Sequence, residues 1–418
     1  MDIRHLTSDD LDAVLDNRRR AFGPLSGGGA ETWRKLVSPM LPEGRYLGAF
    51  DGPRLVGTAR INPYVQWWHG RPLSMGGVAG VTVAPEDRGR GVGRALAHAA
   101  IERCAELGHA VSALYPATTP VYRSAGYEHA GVLQRITVPA EALRTLGGPG
   151  GPGGAAGAVK LRRMGPADAA EVVALIGRVH AAARASGPLC FDERTWRLWL
   201  EDDDDFCYLA EDGFVVYRWS DGDIEVDNLL AGSEATARAL WSLVGSSSTV
   251  AKSVKAFVDP ADPVLWMLRE RSKDEASQTR WMFRLIDLPA AVEGRGFPAG
   301  VRAEIPVEVT DPLRPGNTGA WLLRVDGGAG SVTRRDAPGG DRAGGDSSGG
   351  DSSGGDSSGG DRAGGDATRL TIGGMSALFA GVPTATLRRA GLLNGGSPDT
   401  DDALDAAFGC TAYMIDYF

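Results

Sequence analysis

Cysteine is scarce in this chain: Cys104, Cys190, Cys207 and Cys410 are the four among 418 residues, and none forms a C-x-x-C pair. No disulfide framework or zinc ribbon is expected from that spacing. The six histidines show no H-E-x-x-H pattern, so no metal site is expected either. Positive charge is also short, with 44 Lys plus Arg against 53 Asp plus Glu and a formal charge of -9. Sequence-independent nucleic-acid binding is thereby disfavoured. An acidic balance suits cationic partners such as amines, although solubility is the commoner reason for it. No apolar run is long enough to cross a bilayer, and the opening MDIRHLTSDDLD has neither a basic nor an apolar leader region. The expectation is a soluble, unexported, cytoplasmic protein.

Glycine is abundant instead, with 59 residues, about twice the usual share. It is concentrated in two stretches. Residues 147–157 read GGPGGPGGAAG, the composition of an interdomain linker. Residues 336–366 contain DRAGG, DSSGG, DSSGG, DSSGG and DRAGG in register, which cannot bury a core and predict a disordered insertion. The short strand-like runs on either side predict that this insertion lengthens a hairpin loop. A calcium-binding nonapeptide array does not fit, because the period is five and the apolar coil position is missing.

Between these stretches the pattern is mixed α and β. Residues 3–6 read as a strand, Ser8 to Asp10 cap an amphipathic helix carrying Leu11, Val14, Leu15 and Phe22, and Tyr46 to Ile61 form a hairpin around Asp51-Gly52. A long apolar run, Leu73 to Val83, then leads through a glycine-rich turn into a helix from Gly91 to Leu107 and a buried strand at Val111 to Leu114. From Val159 to Leu288 the order repeats loosely without the glycine-rich turn, as a degenerate copy would.

The informative segment is Val81 to Arg94, VTVAPEDRGRGVGR, in which a strand enters R-x-x-G-x-G and then a helix. Glycines at a helix entrance leave backbone N–H groups uncovered, and the positive end of the helix dipole makes them a cradle for pyrophosphate. Arg88, Arg90 and Arg94 add matching charge. Neither a Walker A loop nor a dinucleotide-binding fingerprint fits the spacing. The segment resembles the acyl-CoA motif of the GNAT (Gcn5-related N-acetyltransferase) superfamily. Leu114 to Tyr127, LYPATTPVYRSAGY, narrows the resemblance to the enhanced intracellular survival (Eis) acetyltransferases.

That resemblance implies an α+β protein with two tandem GNAT-like mixed-sheet domains, the second degenerate, and a sterol-carrier-like C-terminal domain. The expected limits are 1–146, a linker at 147–157, 158–290, and 291–418. It further implies acetyl-CoA as acyl donor and a primary amine as acceptor, on an aminoglycoside, a polyamine or a lysine side chain. Cofactor contacts are expected at Val81, Thr82, Val83, Arg88, Gly89, Arg90, Gly91, Val92, Gly93, Arg94, Ala117 and Thr118. Tyr122 is expected as proton donor to the CoA sulfur, and the C-terminal carboxylate of Phe418 as proton acceptor. Phe22, Trp33 and Asp416 are candidates for the amine pocket. The family also implies a homohexamer, with no metal, nucleic acid or membrane span. The alternative function is a lipid or sterol carrier using the C-terminal domain.

Overall fold

The computed structural model describes residues 1–25, 29–147, 159–269, 275–335 and 367–418. The linker from residue 148 and the 336–366 insertion lie outside the described residues.

Most strands belong to one continuous 14-stranded sheet. Its first half runs Asp2–His5, Tyr46–Asp51, Arg54–Trp68, Arg71–Val83 and Val111–Leu114, with the helix Val92–Glu106 packed on it. That helix buries Val92, Leu96, Ala97, Ala100, Ile101 and Cys104, the stripe its periodicity predicts. The second half repeats the plan with Arg162–Arg163, Phe206–Ala210, Gly213–Ser220, Asp223–Ala231 and Ser253–Val258.

The two halves meet by exchanging strands. Glu275–Leu285, late in the second half, lies between Val111–Leu114 and Glu128–Pro139, antiparallel to both. Glu128–Pro139, from the first half, in turn pairs with Ser253–Val258. Trp281, Met282, Phe283 and Leu285 are wholly buried by this insertion, each worth about 2 kcal/mol of transfer free energy. The join is a continuous hydrophobic core, not a hinge.

Ser253–Val258 covers Glu128–Pro139 only from Pro139 to Gln134, after which Asp259 and Pro260 lead its chain away. The edge left at Val132 and Leu133 is taken by Tyr413–Met414, which pairs there in parallel. The last residues of the chain are thus threaded into the interior.

The C-terminal region forms a separate five-stranded sheet in which Ala303–Thr310 and Gly319–Asp326 alternate buried and exposed residues. The expected lengthened hairpin is not formed. Ala329–Arg334 pairs with Gly319–Asp326 at one side, while Thr368–Thr371 lies parallel to Ala303–Thr310, so residues 336–366 join non-neighbouring strands. Parallel pairing requires such a crossover, because a hairpin reverses direction. The helix Ile372–Phe379 is buried along all eight residues and packs on the exchanged strands.

Arg295 locks this region to the first. Its guanidinium is fully enclosed, 5.7 Å from the ring centre of Trp68, 5.5 Å from Phe297, 4.8 Å from Phe379 and 5.2 Å from Phe408. It donates to the carbonyls of Phe379 and Phe408, the latter at 2.9 Å. Arg295→Met removes the cation and leaves both carbonyls unsatisfied, so a loss on the order of 3 kcal/mol is expected. Thermal unfolding checks this; an unchanged midpoint would show that the cage contributes nothing.

Candidate active site

Arg71–Val83 pairs with Arg54–Trp68 along one edge, but with Val111–Leu114 along the other only at Met75, Gly76 and Gly77. From Val78 to Val83 that second edge has no strand partner among the described residues. The two strands splay, leaving backbone N–H and C=O groups available to an extended ligand. The half-buried Val81 and Val83 side chains pack onto the core beneath the helix. Thr82 is committed to protein, with its hydroxyl 2.7 Å from Thr58 Oγ1 and donating to Asn17. These three residues can therefore offer a ligand mainly main-chain groups.

At the end of the splayed strand, Gly89 and Gly91 have φ of 79° and 81°, and Gly91 caps the helix. A side chain there would meet nothing, so it is the backbone conformation that calls for glycine. The three arginines differ. Arg90 is tied to Asp87 and, at 3.0 Å, to Asp51, while Arg54 grips the same Asp87 at 2.7 and 3.0 Å. Hydrogen bonds from Arg54 and then Arg90 hold the Asp87 carboxyl below its usual range. Arg88 and Arg94 are exposed and make no hydrogen bond or ion pair among the described residues. They are the free cations at the helix entrance, and Arg90 braces the turn. Val92 is buried at the start of the helix, a side chain at Gly93 would meet Val83 of the splayed strand at 3.7 Å, and Ala117 and Thr118 are exposed after Val111–Leu114.

The matching turn in the second half is closed by its own side chains. Asp223–Ala231 enters the helix Glu234–Gly245 through Gly232 and Ser233; Ser233 accepts from the Thr236 N–H, and the Thr236 hydroxyl donates to Asp212. The Asp212 carboxylate thus stands beside this helix entrance, where the first half has free arginines.

The tail forms the opposite wall of the first site. Tyr115 donates to the Asp416 carbonyl at 2.8 Å and stacks on Tyr417 at 4.4 Å. The Phe418 ring meets Tyr64 at 5.0 Å and Tyr115 at 5.5 Å, edge to face. A side chain at Gly77 would come within 3.0 Å of Phe418, so the close approach of the tail needs that glycine. Asn228, from the second half, donates to Asp416 Oδ1 at 2.8 Å.

Tyr122 is 6% exposed and its ring packs edge to face with Tyr127 at 6.1 Å. The Tyr127 hydroxyl is spent on Ser112 at 2.7 Å, whereas the Tyr122 hydroxyl has no hydrogen bond among the described residues. Burial pushes the Tyr122 phenol up to about 12. A phenol this weak does not readily protonate an ordinary thiolate. Burial raises thiols too, as at Cys104, also at about 12.

Two cavities flank the tail. The larger, about 400 Å³, is lined by Asp205, Asp227, Asn228, Asp416, Trp199 and Phe257 among others. The smaller, about 120 Å³, lies between Arg60, Asn62, Tyr64, Asp192, Tyr417 and Phe418. Of the three pocket candidates, Asp416 lines the larger cavity and the others line neither. Phe22 is exposed at the end of its helix, and Trp33 is buried against Tyr46 at 6.4 Å. Trp33 lies on the face of Gly29–Val37 that the hydrophobic cluster claims, whereas its neighbour Thr32 reaches the cavity. Tyr64, Asn228 and Trp199 were not singled out by sequence reasoning. None of them sits in a motif, and only the threading of the tail brings them together.

A splayed parallel strand pair, a glycine turn into a helix N-terminus with free arginines, and a closed second copy define a tandem GNAT acyltransferase with a sterol-carrier-like domain. Residues 2–130 and 187–285 each match the family described as acetyltransferase (GNAT) domain, and residues 288–415 match the sterol carrier protein domain. The chain is 44% identical to a GCN5-related N-acetyltransferase from Kribbella flavida, with a TM-score of 0.88 over 100% of this chain and 98% of the other. It is 27% identical to the N-acetyltransferase Eis of Mycobacterium tuberculosis over 76% of this chain and 79% of the relative. Eis1 from Mycobacterium abscessus, at 22% identity, shares the fold with a TM-score of 0.73 over the full length of both chains. The chain belongs to the GCN5-related N-acetyltransferases.

Burial raises the Asp416 carboxyl to about 7, against the Asn228 hydrogen bond, which lowers it, and with Asp227 adding a smaller upward push. The folded state therefore holds a proton that the unfolded chain releases near pH 4. Stability from this group is present below that point and is lost as pH rises towards about 7. Asp416→Asn should flatten this part of the pH dependence and raise the unfolding midpoint at pH 8 relative to the parent. Parallel slopes for the two proteins between pH 4 and 7 would exclude the linkage.

Proposed function

We propose that the chain transfers acetyl from acetyl-CoA to a primary amine of a cationic acceptor, an aminoglycoside, a polyamine or a lysine side chain. The observation that carries this reading is the splayed edge at Val78 to Val83 running into a glycine-capped helix N-terminus with Arg88 and Arg94 unpaired. An extended pantetheine arm and a pyrophosphate fit those two features in that order. Val81, Thr82 and Val83 hold the arm through the backbone; Gly89 to Arg94 hold the phosphates, with Arg90 acting through the turn; Ala117 and Thr118 border the slot. Acetyl-CoA supplies the activated acyl group.

Tyr122 offers its free phenol to the developing thiolate. The Phe418 carboxylate takes the proton that the amine sheds, directly or through water. An unperturbed α-carboxyl near 3.5 is a weak base, which favours the route through water, and the Phe418 ring is held in place by Tyr64 and Tyr115. In the larger cavity Asp205 and Asp227 are paired with Arg218 and Asp416 is held by Asn228, so a cationic acceptor would meet the rings of Trp199 and Phe257 there more than open negative charge. The domain limits 1–146, 158–290 and 291–418 are part of the same proposal, with two strands crossing between the first two. Assembly as a hexamer and a cytoplasmic location rest on the family resemblance. Among the described residues no helix is long and apolar enough to cross a membrane. The carrier reading gains no support, because the apolar helix Ile372–Phe379 is spent on packing against the exchanged strands.

The test is acetyl-CoA-dependent thiol release across a panel of aminoglycosides, polyamines and lysine peptides. Tyr122→Phe and deletion of Phe418 should each lower kcat about 100-fold with the fold retained by circular dichroism. Arg88→Ala should weaken acetyl-CoA binding several-fold more than it lowers kcat. Full turnover by Tyr122→Phe would remove the phenol from the chemistry.

A further inference from the structure

The smaller cavity carries an unbalanced set of donors. Arg60, Asn62 and Tyr64 alternate along one strand, so their side chains share a face, and all three line the cavity with Asp192, Tyr417 and Phe418. Arg60 has a fully buried Nε with no hydrogen-bond partner, and its guanidinium makes no ion pair among the described residues. Asn62 is 2% exposed, and its Nδ2 makes no well-formed hydrogen bond, although it lies close enough to the Tyr64 hydroxyl to act on it. Arg284 and Arg295 also leave their Nε without a partner, but each has acceptors on its other nitrogens, which Arg60 lacks among the described residues. Arg284 meets the Asp311 carboxylate at 2.9 Å, and Arg295 sits on two carbonyls.

Guanidinium and amide N–H groups have only protons to give, so they favour an oxygen ligand, above all a carboxylate held by both nitrogens of the fork. They do not favour an ammonium. The carboxylates nearest this pair are otherwise placed. Asp192 caps the Thr195 N–H at 2.8 Å, Asp416 is held by Asn228, and neither they nor the Phe418 terminus comes within ion-pair reach of Arg60. A volume of about 120 Å³ suits a group of about four heavy atoms, taking about 30 Å³ for each water-sized atom. A carboxylate with its α-carbon is that size.

We propose that this cavity receives the carboxylate of the acceptor through Arg60 and Asn62, so that the acceptor is a primary amine also bearing a carboxylate, such as a free basic amino acid. The inference rests on the transferase reading and narrows it. The larger cavity beyond Tyr417, with the rings of Trp199 and Phe257, then faces the cationic end of the same molecule, and the Arg60 wall selects a zwitterion over a bare polycation.

The experiment compares L-lysine with 1,5-diaminopentane, which lacks only the carboxylate, by calorimetry on the full chain loaded with CoA, where no transfer occurs. L-Lysine should bind at least tenfold more tightly, and that preference should fall towards unity in Arg60→Met and in Asn62→Asp. Arg60→Lys should recover part of it. Equal affinities in the parent protein, absence of lysine binding, or a lysine preference that survives both substitutions would each overturn the proposal. So would a loss in Arg60→Met that is equal for the two amines, which would mean that Arg60 acts on the Phe418 carboxylate. Thiol release separates the two ideas: lysine held through Arg60 without transfer leaves the site standing and removes the amine reading, whereas equal binding and equal transfer of both amines does the reverse.

Discussion

One edge of one strand organises the molecule. Backbone N–H and C=O groups inside a protein must find partners, and Glu128–Pro139 meets that demand from three different parts of the chain. Glu275–Leu285 covers one side, Ser253–Val258 covers the first part of the other, and Tyr413–Met414 covers what remains. The tail reaches the first cofactor slot because Ser253–Val258 stops at Gln134. Had that strand continued, the last residues would have had no edge to join, and Phe418 would not stand between Tyr64 and Tyr115.

The two halves share a plan but differ in how they settle the charge at one helix entrance. In the first, carboxylates Asp51 and Asp87 hold Arg54 and Arg90, and Arg88 and Arg94 are left with nothing to neutralise them. The helix dipole adds to that positive field. In the second, Ser233 and Asp212 satisfy the same positions from within. The second entrance is therefore capped from within, by a serine and a carboxylate, where the first presents glycines and arginines. What the second half contributes instead is support for the tail, through Asn228 and through one wall of the larger cavity.

Buried cations tie the C-terminal region to the rest. Arg284, on an exchanged strand, meets Asp311, and Arg295 is boxed by rings from both regions. Burying a guanidinium is costly unless its donors are met, so each of these contacts requires the facing segments to be in place together. Because Arg295 also holds the Phe408 carbonyl, the start of the tail is anchored before it enters the sheet. The sterol-carrier-like region thus serves as a rigid mount for the chain's last residues.

The sequence by itself determined the elements whose signals are local. The glycine turn at Arg88 to Gly93, the apolar run along Leu73 to Val83, the helical stripe from Val92 to Cys104 and the repeat of the same order after residue 159 were all legible, as was the segment holding Tyr115 and Tyr122. What it did not carry was pairing between distant strands, since every apolar strand is compatible with many partners and only packing chooses among them. The exchange of Glu128–Pro139 and Glu275–Leu285, the crossover in place of a hairpin at 336–366, and the burial of Trp33 away from both cavities follow from that choice. So does the site itself. Arg60, Asn62 and Tyr64 on one strand, Asn228 in the second half and Phe418 in the tail come from three separate stretches, and only a tail threaded into an open strand edge brings them to one place.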